Sequence, residues 1–253
     1  MIKKKSPDQI AVMHEGGKRM GAILKQLCDA AVEGKLLWEL DALAQKLIAE
    51  ANAVPAFLHY APAGHTPYPL AVCLSVNDTV VHGIPARNAK LQAGDIVGLD
   101  LGMVYQGLYL DAARTVGVGK MSDETDHLLR VTREALARGV AAAQVGNTVG
   151  DIGHAVGSYI EAEGLGVVHQ LVGHGVGFAV HEEPQVPNFG RAGSGIPLEP
   201  GLVIAIEPMV TIGDPEVQFM PDGWTVKTVS GNVAAHEENT VAITVDGPIV
   251  LTA

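Results

Sequence analysis

Gly98-Leu99-Asp100-Leu101-Gly102-Met103-Val104-Tyr105-Gln106-Gly107-Leu108-Tyr109-Leu110-Asp111 is the stretch on which the fold turns. Apolar residues alternate with small or polar ones on either side of a short break, the pattern of two extended strands joined by a tight hairpin. With the turn at Tyr105-Gln106, position 100 pairs with 111 and both carboxylates leave the same sheet face. Opposed carboxylates about 5 Å apart repel. A divalent cation between them converts that repulsion into binding energy, so the pair predicts a metal site.

Working outward, the hairpin sits in a chain that repeats an order of helices and strands. Ser6-Pro7-Asp8-Gln9 is a helix start, with Ser as cap, Pro in the first turn and Gln three residues after the cap. Its apolar face runs through Ile10, Met13, Met20, Ile23, Leu24 and Leu27 to about Ala31. A second helix is expected from about Leu36 to Asn52, then a proline-rich loop over 54–69. Strands follow at about 71–76, 79–82, 95–104 and 107–116. Ser122 opens a third helix reaching about Gln144, and Thr148 to Glu163 forms a fourth. The clearest later strands are Val203–Glu207, Trp224–Val229 and Ala234–Thr244. Helix–helix–strands given twice predicts an α+β fold of two similar halves sharing one curved antiparallel sheet. No linker is long enough to split the chain, so one domain over 1–253 is expected.

Composition narrows the function. A formal charge of −11 argues against a nucleic-acid partner, which requires a basic face. Two cysteines, Cys28 and Cys73, are too few for a secreted disulfide framework, so a cytoplasmic protein with reduced thiols is expected. No stretch reaches the roughly 18 uncharged apolar residues of a membrane span. Lys3, Lys4 and Lys5 precede no apolar run and are expected to be a solvated end.

Three later residues of ligand type complete the aspartate pair. His174 lies in Gly173-His174-Gly175-Val176-Gly177, Glu207 in Ile206-Glu207-Pro208, and Glu238 in His236-Glu237-Glu238-Asn239. Between them comes His181-Glu182-Glu183-Pro184. Four carboxylates and one imidazole make a hard, oxygen-rich donor set suited to Mn²⁺, Fe²⁺ or Co²⁺ and tolerant of Zn²⁺.

The order Asp, Asp, His, Glu, Glu, with Cys73–Pro85 and Met220–Thr228 around it, resembles methionine aminopeptidase of the pita-bread dinuclear metallopeptidases over nearly the whole chain. Only 33 residues separate His174 from Glu207, which resembles the short bacterial type I form. The resemblance implies two divalent metal ions. Asp100 chelates one, Asp111 and Glu238 bridge both, and His174 and Glu207 hold the second. It also implies that Glu207 takes a proton from the attacking water, that His181 stabilises the oxyanion, and that His82 sits near the leaving nitrogen. A methionine side chain would be lined by His65, Tyr68, Cys73, Val180 and Trp224. Implied too are nascent N-terminal peptides with a small second residue as substrates, a monomer, and work near the ribosome exit region.

The chain departs from the common type I pattern at His65-Thr66, Leu110, Val180, His236-Glu237 and Asn239. These substitutions are expected around the substrate pocket and the bridging carboxylates. In particular, Val180 would enlarge the pocket, and Glu237 would be a solvated or rim charge. Two other functions fit the fold: a proline-specific aminopeptidase or prolidase-like enzyme, which usually carries an added N-terminal domain, and a non-catalytic peptide-binding module, which usually loses ligands.

Overall fold

The computed structural model describes residues 2–62 and 64–253. Helix α1 (Pro7–Ala30) starts as the sequence predicts, with Ser6 and Gln9 forming a reciprocal capping box. Helix α2 is Leu37–Glu50. The first strands are β1 (Val54–Pro55), β2 (Val72–Val76), β3 (Thr79–Val81), β4 (Ile96–Tyr105) and β5 (Leu108–Gly117). Helices α3 (Asp123–Ala142) and α4 (Val149–Ala162) open the second half. It continues with β6 (Gly166–Val167), β7 (Gly173–Gly175), β8 (Glu182–Val186), β9 (Val203–Ile206), β10 (Met209–Thr211), β11 (Val217–Phe219), β12 (Val226–Thr228), β13 (Ala234–His236), β14 (Asn239–Thr244) and β15 (Gly247–Val250). Among the described residues no helix is long and apolar enough to cross a membrane.

Each half buries its sheet under its own helix pair. Met13, Met20, Leu24 and Leu27 follow one face of α1 and join Leu99, Leu101 and Met103 of β4 in one core. Leu128, Ala135, Ile152 and Val156 of α3 and α4 join Ile204 and Ile206 of β9 in a second. All the strand pairings are antiparallel. The halves meet where Ala113 and Glu238 exchange both backbone hydrogen bonds, at 3.0 and 3.3 Å.

The hairpin register differs from the expected one. The turn residues are Gln106 and Gly107, at φ +49° and +81°, and Tyr105 pairs with Leu108. Two left-handed central residues make the turn type that matches strand twist, and glycine enters it freely. Asp100 therefore pairs with Ala113 and Asp111 with Gly102. The offset is two residues, so both aspartates keep the same face but sit diagonally, roughly 7–8 Å apart along the backbone instead of about 5 Å. Gly102 on that face has a second use, because a Cβ there would lie 2.4 Å from the Phe57 ring.

Replacing Gly107 with valine tests the turn in isolation, since nothing lies within 4 Å of where its Cβ would go. The expected loss is about 1–2 kcal/mol from backbone conformation alone. A melting temperature lowered by a few degrees, with divalent-cation uptake unchanged, is the predicted outcome of a thermal melt and a metal titration.

Two further expectations give way. The strand read as Ala234–Thr244 breaks at Glu237-Glu238 into β13 and β14. The lysine triplet is no solvated end at Lys5, whose side chain is buried against Glu182 at 2.7 Å while its backbone N–H donates to Gly201 O.

Candidate metal centre and substrate cavity

Parity along the strands decides what reaches the centre. On β4, Leu99, Leu101 and Met103 face the α1 core, so Asp100 faces the other way. On β5, Leu110 and Ala112 join that core and Asp111 turns to Asp100's side. Thr240 of β14 fixes Asp111 from behind: its hydroxyl accepts the Asp111 N–H at 3.0 Å and donates to the Asp111 carbonyl at 2.7 Å. Asn188 donates to the Glu207 carbonyl at 2.9 Å. Arg114 binds the Glu238 carbonyl and donates to the Asn239 side chain. Sequence reasoning named neither Thr240 nor Asn188 nor Arg114 as positioning groups.

His174 lies in β7 with Nδ1 2.9 Å from the Gly175 carbonyl oxygen. Donation there leaves the Nε2 lone pair free, the arrangement a metal-binding imidazole adopts. Nε2 is 3.5 Å from Glu207 Oε1 and 3.9 Å from Asp111 Oδ2. Two groups of donor atoms draw together within 4.8 Å: Asp111, His174 and Glu238, and Glu207, His236 and Glu238. Asp100 lines the same cavity. Four buried side-chain polar atoms among the described residues lack any hydrogen-bond partner: Asp100 Oδ1, Asp111 Oδ1, His236 Nε2 and Glu238 Oε1. Every one lies in this cluster, where a cation would satisfy them.

Burial and mutual repulsion set the charge state of the cluster in the metal-free protein. Burial pushes Asp100 up to about 6. Burial, then the Asp100 charge, raises Asp111 well above the carboxylate range, and burial, then Asp111, does the same for Glu238. Burial would also raise Glu207, but the His236 and His174 imidazoles outweigh it and hold Glu207 below the usual value. His236 is raised in return, its burial outweighed by Glu207.

A pH prediction follows for the metal-free protein. Asp111, Glu238 and His236 each hold protons in the folded chain that the unfolded chain releases. Their stabilisation is complete below the unfolded values and drains away as pH rises through the raised ones. His82 and His181, both lowered, act in the opposite sense, but only below about pH 6.5, where unfolded histidine still binds a proton. Between pH 6.5 and 8.5 the melting temperature of the metal-free protein should therefore fall, by roughly 3–5 °C per pH unit for each proton retained only on folding. A flat or rising profile by calorimetry contradicts this.

A cavity of about 190 Å³ opens beside the cluster, lined by Phe57, Tyr60, Tyr68, Cys73, Val81, Leu171, Val172, Met209 and Trp224, with His82, His174 and His181. Tyr68 is buried and donates to the Gly83 carbonyl at 2.8 Å. Trp224 is pinned through its indole N–H to Thr66 O at 2.8 Å and meets Tyr68 edge-on at 5.3 Å between ring centroids. His82 carries a left-handed φ of +55° as its ring lines the cavity, strain of the kind found at functional sites. Burial lowers His82 to about 4. His181 stands at the mouth, 3.1 Å from the Tyr60 hydroxyl and 4.5 Å, ring to ring, from His174. Desolvation, then His174, lowers it as well. Both imidazoles are thus neutral N–H donors at neutral pH.

Several departures from the type I pattern land elsewhere than expected. Val180 is buried in the first core and does not line the cavity, so it does not enlarge it. His65 stacks outside on Trp224 at 5.0 Å, with Nδ1 3.1 Å from the Gly223 carbonyl oxygen, and is likewise absent from the lining. Leu110 turns to α1, where Gly16 makes room: a Cβ at Gly16 would be 2.7 Å from Leu110. Glu237 is neither solvated nor at a rim. It is buried on the face opposite Glu238, 3.2 Å from Arg133 Nε and 4.0 Å from Arg114 Nε. The apolar residues Phe57, Tyr60, Val81, Leu171, Val172 and Met209 were not anticipated, since each reads as ordinary core. His236 was noted only as a departure, although two-residue spacing from Glu238 on extended chain was a signal that both share a face.

The model of metallopeptidase family M24 matches residues 11–245. The methionine aminopeptidase of Clostridium acetobutylicum is 43% identical over 252 residues, covering 100% of this chain and 99% of that protein. The crystal structure of methionine aminopeptidase from Thermotoga maritima superposes with a TM-score of 0.95 at 41% identity, over 100% of this chain and 99% of that one. Prolidase from Pyrococcus furiosus shares the fold at a TM-score of 0.75 and 24% identity, with this chain covering 65% of its length.

Proposed function

The chain belongs to metallopeptidase family M24, and within it to the type I methionine aminopeptidases, and from that premise we propose how its own side chains remove an N-terminal methionine. Asp100, Asp111, His174, Glu207 and Glu238 would hold two divalent cations, Mn²⁺, Fe²⁺ or Co²⁺, with Zn²⁺ also accepted. The observation that carries this is that unpartnered, buried polar atoms gather among these carboxylates and imidazoles. When bound, the cations supply Lewis-acid polarisation and acidify a water.

The chain does the rest. Glu207, held ionised, accepts the proton of the attacking water. Neutral His181 donates to the scissile carbonyl oxygen as negative charge grows there. As the peptide C–N bond breaks, Glu207 passes that proton to the departing nitrogen, which His82 hydrogen-bonds. Tyr68, Cys73 and Trp224, with Phe57 and Tyr60, enclose the thioether. A cavity this small takes one side chain, and cleavage is confined to the first residue because the free α-amine must reach the metal centre. Substrates are the N-terminal peptides of nascent proteins with a small second residue. A cytoplasmic monomer working near the ribosome exit region goes with this reading.

After chelation and reloading with Mn²⁺, release from Met-Ala-Ser is expected to exceed that from Leu-Ala-Ser by at least about tenfold, the discrimination of an apolar pocket. Ala-Pro peptides should be left intact. Equal turnover of the methionine and leucine peptides removes the selectivity. Preference for the proline bond removes the assignment.

A further inference from the structure

His236 is a buried imidazole for which the mechanism above finds no use. It is 3% exposed, and its Nε2 is among the unpartnered polar atoms of the cluster. Nε2 lies 3.4 Å from Glu207 Oε2 and 4.0 Å from Glu238 Oε2. Donors about 2.0–2.2 Å from one cation stand roughly 3–4 Å from one another, so these separations fit a shared ion. Glu207 divides its oxygens between two rings: Oε1 faces His174 at 3.5 Å, and Oε2 faces His236.

We propose that His236 is a sixth protein ligand of the metal centre, binding through Nε2 a cation it shares with Glu207 and Glu238. The proposal rests on the two-cation reading above and adds a second nitrogen to a set of four carboxylates and one imidazole. Imidazole favours Co²⁺, Fe²⁺ and Zn²⁺ over Mn²⁺ more than an oxygen donor does. The centre of this chain is accordingly biased away from Mn²⁺. A direct hydrogen bond from His236 to Glu207 is the competing arrangement; Nε2 stands 3.4 Å from Oε2 yet is left without a hydrogen-bond partner.

Proton NMR of the full chain loaded with Co²⁺ tests this, because a coordinated imidazole shifts its ring N–H signal far outside the diamagnetic range. The wild-type protein should give two such signals, from His174 and His236, and His236→Gln one. The variant should also lose about tenfold or more of its preference for Co²⁺ over Mn²⁺ in competitive binding. If the variant fails to fold, ¹⁵N-histidine spectra of the Zn²⁺-loaded wild type serve instead, with two metal-bound Nε2 resonances expected. A single coordinated histidine in the wild type, with methionine release intact, overturns the role of His236 and leaves the enzyme assignment standing. A wild-type chain that takes up no cation and releases no methionine overturns both.

Discussion

Glu238→Gln is expected to make the metal-free protein more stable and the enzyme nearly inert. The carboxylate is 2% exposed, one of its oxygens has no partner, and its neighbours include Asp111 and Glu207. In the metal-free protein an amide of the same shape is neutral without having to take up a proton, as the raised Glu238 carboxyl must, and it brings two N–H donors to surrounding carboxylates. A gain of about 1–3 kcal/mol is the scale for relieving one unsatisfied buried group. The same change removes a donor shared by both clusters of ligand atoms. Several kcal/mol of metal-assisted stabilisation then disappears, and methionine release should drop by about three orders of magnitude. Melting the metal-free variant and assaying it with Mn²⁺ read the two halves separately. A less stable apoprotein, or activity within tenfold of the parent, contradicts the account of the cluster.

His181→Ala should act on the transition state alone. The ring touches none of the buried carboxylates closely enough to bind them, and it is held by Tyr60 at 3.1 Å at the cavity mouth. Removing one neutral donor from a developing oxyanion costs about 10²–10³ in kcat. Because the ground-state carbonyl gains little from that donor, KM should change by less than a few fold. Metal content should remain that of the parent. A rise in KM with kcat preserved would place His181 in substrate binding instead of catalysis.

The parts legible in the sequence were those with local causes. The Ser6 cap, the apolar face of α1 and the strand alternation around Asp100 and Asp111 each rest on neighbours along the chain. The hairpin register was missed by one turn position because Gln106 accepts a left-handed φ that its side chain does not announce. Glu237 and Lys5 are illegible in the sequence for another reason. A charge reads as solvated until its partner is known, and Arg133 and Glu182 are remote in sequence. The cavity wall was hidden because Phe57 and Met209 differ from core residues only in facing a void. Val180 is the converse case, a core residue whose position beside His181 says nothing of which face it occupies.

The centre lies on a seam. Asp100 and Asp111 come from one half, His174, Glu207 and Glu238 from the other, and Ala113 and Glu238 stitch the strands together between them. On the proposed reading a bound ion would act as a rivet through two plates, its affinity in part the strength with which the plates are clamped. Neither plate alone carries the full set of proposed donors, so on that reading hydrolytic competence requires the two to have closed on each other.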